Sequence, residues 1–251
     1  MTKSKKAPQS GTAETKPQSA NDLTKFYWVL GIVAILGIGI VGYSVSSRST
    51  GNMATTPIAI AGLDDPGTLK AMTHGVTKGN PSAPLTIMEF GDFQCPACGE
   101  FFRTVEPAVV TEFINTGRAK FVFYDFPLVN LHPNAFVAAR AAHCAEDQGK
   151  FWEYHDQLYG NQQIWSSLPD PSPVFEEFAG VLGLDDDAFK DCLRSDRHQD
   201  LVTANMQLAY VNQAPGTPTI MVGSGMLRQV PSTLEGIREA MDGLGSAPTA
   251  Q

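Results

Sequence analysis

The chain has 251 residues, 43% of them hydrophobic, enough for one sizeable core with appendages. Its formal net charge is −8, yet residues 1–25 carry a net +3 from five lysines against Glu14 and Asp22, leaving −11 on the remainder. A body that acidic repels phosphate backbones and excludes nucleic acid as a natural partner.

Residues 1–25 are rich in Lys, Ser, Thr, Gln and Pro, which predicts a disordered tail. Residues 26–43 form a run of 18 residues without charge. As a helix it spans roughly 27 Å, enough to cross a bilayer core. Lysines precede the run, and Asp64 and Asp65 are the first acids after it. That asymmetry predicts a transmembrane anchor with a cytoplasmic N-terminus and an extracytoplasmic body at the cell membrane. A cleaved signal peptide is the competing reading, although Val45-Ser46-Ser47 is a weak cleavage site. Either one exports the body. Residues 44–73, small and polar, read as a linker, and residues 74–251 as the globular part.

Within that part, residues 85–90 (Leu-Thr-Ile-Met-Glu-Phe) predict a buried strand between Pro84 and Gly91. Residues 99–115 predict a helix that Pro107 kinks or splits. Residues 119–126 predict a second strand. Helical spacing then recurs from about 132 to 212: an alanine-rich helix opened by Pro133, Phe151 to Tyr159 on one face, Val174 to Leu182, Phe189 with Cys192 and Leu193, and residues 201–211. Residues 218–222 and 226–230 predict strands joined through Gly223-Ser224-Gly225, and Ser232 is placed to cap a closing helix. This order implies an α/β fold, a mixed sheet flanked by helices with a helical insertion.

Four cysteines follow the apolar run. Cys95 and Cys98, in Cys-Pro-Ala-Cys, leave a strand and open a helix. The free N–H groups and positive end of a helix dipole stabilise a thiolate on the first cysteine, so Cys95 is predicted to be exposed and reactive and Cys98 more buried. Pro96 suits the first helical turn. Zinc and an inert bridge are the alternatives. Against zinc, Cys144 and Cys192 stand 48 positions apart, and His74, His132, His143, His155 and His198 look scattered. Against an inert bridge, a two-residue spacing at a helix start makes a reducible disulfide. By spacing alone Pro218, after Thr217 at the entrance of a late strand, reads as an ordinary trans proline.

The stretch from Glu89 to Cys98, Thr217-Pro218 before a late strand, and residues 138–159 with their Ala-Ala-Arg-Ala-Ala-His-Cys-Ala and Gly-Lys-Phe-Trp-Glu-Tyr-His-Asp-Gln-Leu-Tyr resemble the DsbA-like branch of the thioredoxin superfamily. The resemblance covers about residues 75–242. It implies the thioredoxin fold and protein thiol-disulfide exchange through Cys95 and Cys98, with Pro96 and Ala97 beside the substrate. It further implies a cis Pro218 and a Thr217 whose backbone meets a substrate peptide. Glu89 matches the family's buried acid, whereas from the residues alone a solvent-facing glutamate is an equal reading. A disulfide between Cys144 and Cys192 is implied as well; two reduced buried cysteines are the bland alternative. Cysteine-containing exported proteins are the implied substrates, and a membrane reoxidant of the DsbB or vitamin K epoxide reductase-like kind the implied partner, with no dissociable cofactor and no metal. One departure is Pro-Ala between the cysteines, where strongly oxidising members often carry Pro-His. It removes a side chain that stabilises the thiolate and leaves open a reductase or isomerase direction. An anchored binding or chaperone module with an inert disulfide is the reading of a different class.

Overall fold

The structure, a computed structural model, describes residues 53–245. The expected tail and the anchor at 26–43 lie outside the described residues. Among the described residues no helix is long and apolar enough to cross a membrane.

Much of the segment read as linker is laid on the body. Asp65 accepts the Thr68 N–H at 2.8 Å and Pro66 stands in the first turn, so a helix forms over Pro66–Met72 (α1) despite its short length and Gly67. Leu63 and Leu69 bury against Ala204. Next comes β1 (Val76–Lys78), a strand the sequence pattern did not suggest because three residues carry no period.

The sheet is built from β1, β2 (Leu85–Gly91), β3 (Ala119–Asp125), β4 (Thr219–Ser224) and β5 (Met226–Val230), in the order β1-β3-β2-β4-β5. β2 and β3 run parallel, and the remaining pairs are antiparallel. A parallel pair needs a crossover, supplied by α2 (Pro96–Thr104) and α3 (Glu106–Val109) with a π-turn at Val110–Ile114. Pro107 lacks an N–H, and the helix is split in front of it at Val105. Gly225, at φ +106°, turns β4 into β5. The closing helix α10 (Leu234–Gly245) starts later than expected: the Thr233 hydroxyl, not Ser232, accepts the Gly236 N–H at 3.2 Å.

Between β3 and β4 lie α4 (Ala135–Glu146), α5 (Phe151–Gly160), α6 (Gln162–Trp165), α7 (Ser172–Val181), α8 (Asp186–Leu193) and α9 (Gln199–Val211). The Cys144–Cys192 disulfide joins α4 to α8, closing a separation of 48 residues. Arg140, fully buried in α4, donates to the carbonyls of Ala54, Cys192, Leu193, Ser195 and Arg197 at 2.6–3.3 Å. Those five acceptors satisfy a charge that burial alone would make costly.

The histidines are less scattered than the sequence suggests. His143 is buried between Asp125 (2.7 Å) and Glu146 (2.6 Å), and Glu146 also meets His74 at 2.7 Å. Burial works against the His143 charge, but Asp125 and Glu146 outweigh it and hold its pKa up at about 10. His198 stands beside the Cys144 and Cys192 sulfurs, which are spent in the disulfide and so are not thiolate ligands.

Candidate active site

β2 ends at Gly91 and α2 begins at Pro96, so the three residues between Gly91 and Cys95 fix where Cys95 stands. Asp92 organises that turn. Its Oδ1 accepts the N–H groups of Gln94 (2.8 Å) and Cys95 (3.2 Å), and its Oδ2 accepts the Leu128 N–H (2.9 Å) and meets His132 Nδ1 at 2.7 Å. The insertion grips the same turn. Gln162 donates from Nε2 to the carbonyls of Phe93 and Cys95, both at 2.8 Å, and Gln94 Oε1 accepts the Asn134 N–H at 2.6 Å. Gly99 permits this grip, since a Cβ there would meet Gln162 Oε1 at 2.6 Å.

Cys95 is the N-cap of α2, with no side chain capping the helix, and Cys98 faces it one turn on. Both are free thiols. Cys98 has no exposed surface and Cys95 only 7%, so Cys95 is less open than expected. Its sulfur lies against Thr217, donating to that carbonyl at 3.4 Å, which covers part of it. The Cys95 pKa is pulled down to about 5, first by the hydrogen bond from Cys98, against partial burial, and then by Thr217 and the backbone N–H groups of Cys98 and Ala97. Ala97 thus acts through its backbone. Burial, together with the donation to Cys95, pushes the Cys98 thiol well up. Such opposed shifts assign two roles: a stabilised thiolate and a thiol that keeps its proton.

Glu89 is buried at 1% exposure in the central strand, opposite Phe123 on β3 and Ile220 on β4. Burial raises its pKa well above the carboxylate range, Glu106 adds to this, and Lys78 opposes it. Lys78, on β1, bonds Glu106 at 2.7 Å. The basic group that acts on Glu89 is therefore on β1, coupled to it through a second carboxylate. Oε1 of Glu89 and Oε2 of Glu106 have no hydrogen-bond partner among the described residues.

The Thr217–Pro218 peptide is cis, as the resemblance implied and the spacing did not. It lines a groove of about 350 Å³ with Gly216, Gln229 and Val230. The structure therefore brings together Cys95, Cys98, Pro96, Ala97 and Thr217, with Pro218 beside them and Glu89 acting on Cys98 from the sheet. Cys144 and Cys192 are apart in the insertion. Sequence reading missed Asp92, His132, Gln162, Lys78 and Glu106. Asp92 alone had a usable signal, a short acid three residues before a helix-opening cysteine.

The profile of the family described as Thioredoxin matches residues 72–243. The Na(+)/H(+) antiporter NhaA 3 of Salinispora tropica is 33% identical over 164 residues, covering 65% of this chain and 24% of that protein. The chain thus spans about a quarter of the length of that relative. The probable disulfide bond formation protein D of Bacillus anthracis is 26% identical over 215 residues, covering 83% of this chain and 91% of that protein. Oxidised BdbD of Bacillus subtilis superposes with a TM-score of 0.61 at 24% identity, over 68% of this chain and 92% of that one. Wolbachia pipientis alpha-DsbA1 gives a TM-score of 0.58 at 23% identity, over 68% of this chain and 90% of that one, and both likenesses speak for the fold. By its sequence, its sheet order and the place of its cysteine pair, the chain belongs to the thioredoxin family and is similar to its DsbA-like members.

Proposed function

We propose that the protein is an extracytoplasmic, membrane-anchored oxidase that introduces disulfides into exported proteins through Cys95 and Cys98. The observation that carries this reading is the opposed pair of thiols: a Cys95 with pKa about 5 in front of a Cys98 pushed up by burial. A substrate thiolate attacks the Cys95 sulfur of the oxidised pair, and Cys98 leaves, taking a proton. Glu89, kept protonated by burial and acting on Cys98, is the proposed source of that proton. A second substrate cysteine then attacks the mixed disulfide and expels Cys95 as a thiolate. The substrate dithiol loses two electrons and two protons; one proton replaces the one Glu89 gave to Cys98 and the other goes to solvent. A low thiol pKa makes Cys95 a good leaving group and favours the reduced enzyme, which is the direction of an oxidant. Substrate peptide runs along the groove at Thr217 and Pro218.

Residues 26–43 serve as the anchor, residues 1–25 as its cytoplasmic tail and residues 44–73 as the connection to the body, on the charge asymmetry and apolar length of the sequence. The reoxidant is a quinone-linked membrane protein of the DsbB or vitamin K epoxide reductase-like kind.

Two measurements test this. A Cys98→Ala variant retains Cys95 and should trap exported proteins as mixed disulfides; no trapped partner favours the binding-module reading. The in-cell redox state of the wild-type pair sets the direction: an oxidised pair is expected, and a pair found mainly reduced turns the reading to a reductase or isomerase.

A further inference from the structure

Between the two cysteines the chain carries Pro96 and Ala97, neither of which has a polar side chain to offer the Cys95 sulfur. An organised pair of charged groups lies outside that segment. Asp92, buried at the foot of the loop, holds the Cys95 N–H with one oxygen and meets His132 Nδ1 at 2.7 Å with the other. His132 itself is anchored, its backbone N–H bonded to the Leu128 carbonyl at 2.9 Å, and Leu128 N–H returns to Asp92 Oδ2 at 2.9 Å. The imidazole keeps 18% of its side chain exposed, so it reaches water, whereas the carboxylate it meets is fully covered.

We propose that His132, held by Asp92 against the loop that carries Cys95, stabilises the Cys95 thiolate from outside the Cys-x-x-Cys segment. His132 is a positioning residue: it touches Asp92, not the sulfur. A buried carboxylate this close to a developing thiolate disfavours it, and an imidazolium on the far oxygen offsets that charge while leaving the near oxygen to hold the Cys95 N–H. The groups acting on His132 fit this role. Its pKa is raised first by the hydrogen bond to Asp92, against burial, then by the Asp92 charge and by Cys95. Coupling is reciprocal, so whatever the Cys95 thiolate does to His132 protonation, protonated His132 does to the thiolate.

The inference rests on Cys95 as the reactive thiol, but its test needs no substrate. Thiolate ultraviolet absorbance of the reduced full chain, followed against pH, should show a thiolate-to-thiol ratio lower by at least about fivefold in His132→Gln than in the wild type. Gln keeps a hydrogen bond to Asp92 and removes only the charge. The same factor should move the equilibrium with glutathione towards the Cys95–Cys98 disulfide. In the wild type, the His132 imidazole followed by NMR should titrate at higher pH in the reduced protein than in the oxidised one. An unchanged thiolate titration in folded His132→Gln overturns the proposal, and so does a His132 titration indifferent to oxidation. If the variant does not fold, the wild-type NMR comparison decides alone. A chain that exchanges no disulfides, yet shows this coupling, refutes the oxidase reading and not this one.

Discussion

The Cys95 thiol donates to the Thr217 carbonyl at 3.4 Å, tying together two positions 122 residues apart in sequence. The Thr217 hydroxyl is buried and has no partner of its own among the described residues. Once Cys95 ionises, the sulfur becomes an acceptor and that hydroxyl is the donor beside it, one of the groups that lower the Cys95 pKa. Thr217→Val removes the donor and keeps the shape. A hydrogen bond to a charged group contributes about 1.5–3 kcal/mol, so the Cys95 titration should move up by about one unit or more. Thiolate absorbance against pH checks it, and a titration identical to wild type contradicts it.

A depressed Cys95 pKa also makes the reduced protein's stability depend on pH. The folded value of about 5 lies below the unfolded thiol value. The contribution is therefore complete above the unfolded pKa of about 8.5 and is lost as pH falls through 5. Near pH 7 it amounts to at most about 3 kcal/mol, less for the part of the thiol that solvent screens. Reduced wild type should thus exceed Cys95→Ala in urea midpoint at pH 8, with the gap closing towards pH 5. A gap independent of pH contradicts the assignment.

Glu89 has the opposite sign. Its folded pKa is raised by burial, so its cost is absent below the unfolded carboxyl pKa and grows as pH rises above it. Glu89→Gln, a neutral isostere, should leave stability unchanged near pH 4 and raise Tm by at least about 2 °C near pH 8. The same variant should slow exchange, because Cys98 loses its proton source. A variant less stable at pH 8 and fully active would mean that Glu89 is ionised and structural.

The Cys144–Cys192 bridge lies away from the reacting sulfurs. Replacing both residues by Ala should cost about 4 kcal/mol by the loop-entropy account for 48 residues. The Cys95 titration should stay where it is. Denaturant unfolding and thiolate absorbance on the same sample test both halves of the expectation.

What could be read from the sequence follows from how local each signal is. Cys95, Cys98 and the strand-to-helix setting are contiguous, so spacing exposes them. The long insertion helices declare themselves by period, and the bridge between α4 and α8 came only through family resemblance. The Asp65-capped helix α1 was hidden because seven residues are too few to show a period and its stability comes from one cap and the burial of Leu69. The burial of Glu89 was undecidable from one strand, since it depends on β3 and β4 covering both sides. Lys78 and Glu106 meet across 28 positions, and Asp92 and His132 across 40, distances at which sequence carries no period to read.

Gln162 has a consequence for any attempt to reduce this protein to its sheet and flanking helices. Its amide holds the Phe93 and Cys95 carbonyls, so one wall of the cysteine loop is made by the insertion. A chain trimmed of the whole insertion, residues 132–212, would leave those two acceptors, the Asn134 contact to Gln94 and the His132 contact to Asp92 all unmet. Such a miniature would keep both cysteines and lose the geometry that sets them apart. Grafting a relative's insertion, by the same token, would transplant part of its redox character along with its surface.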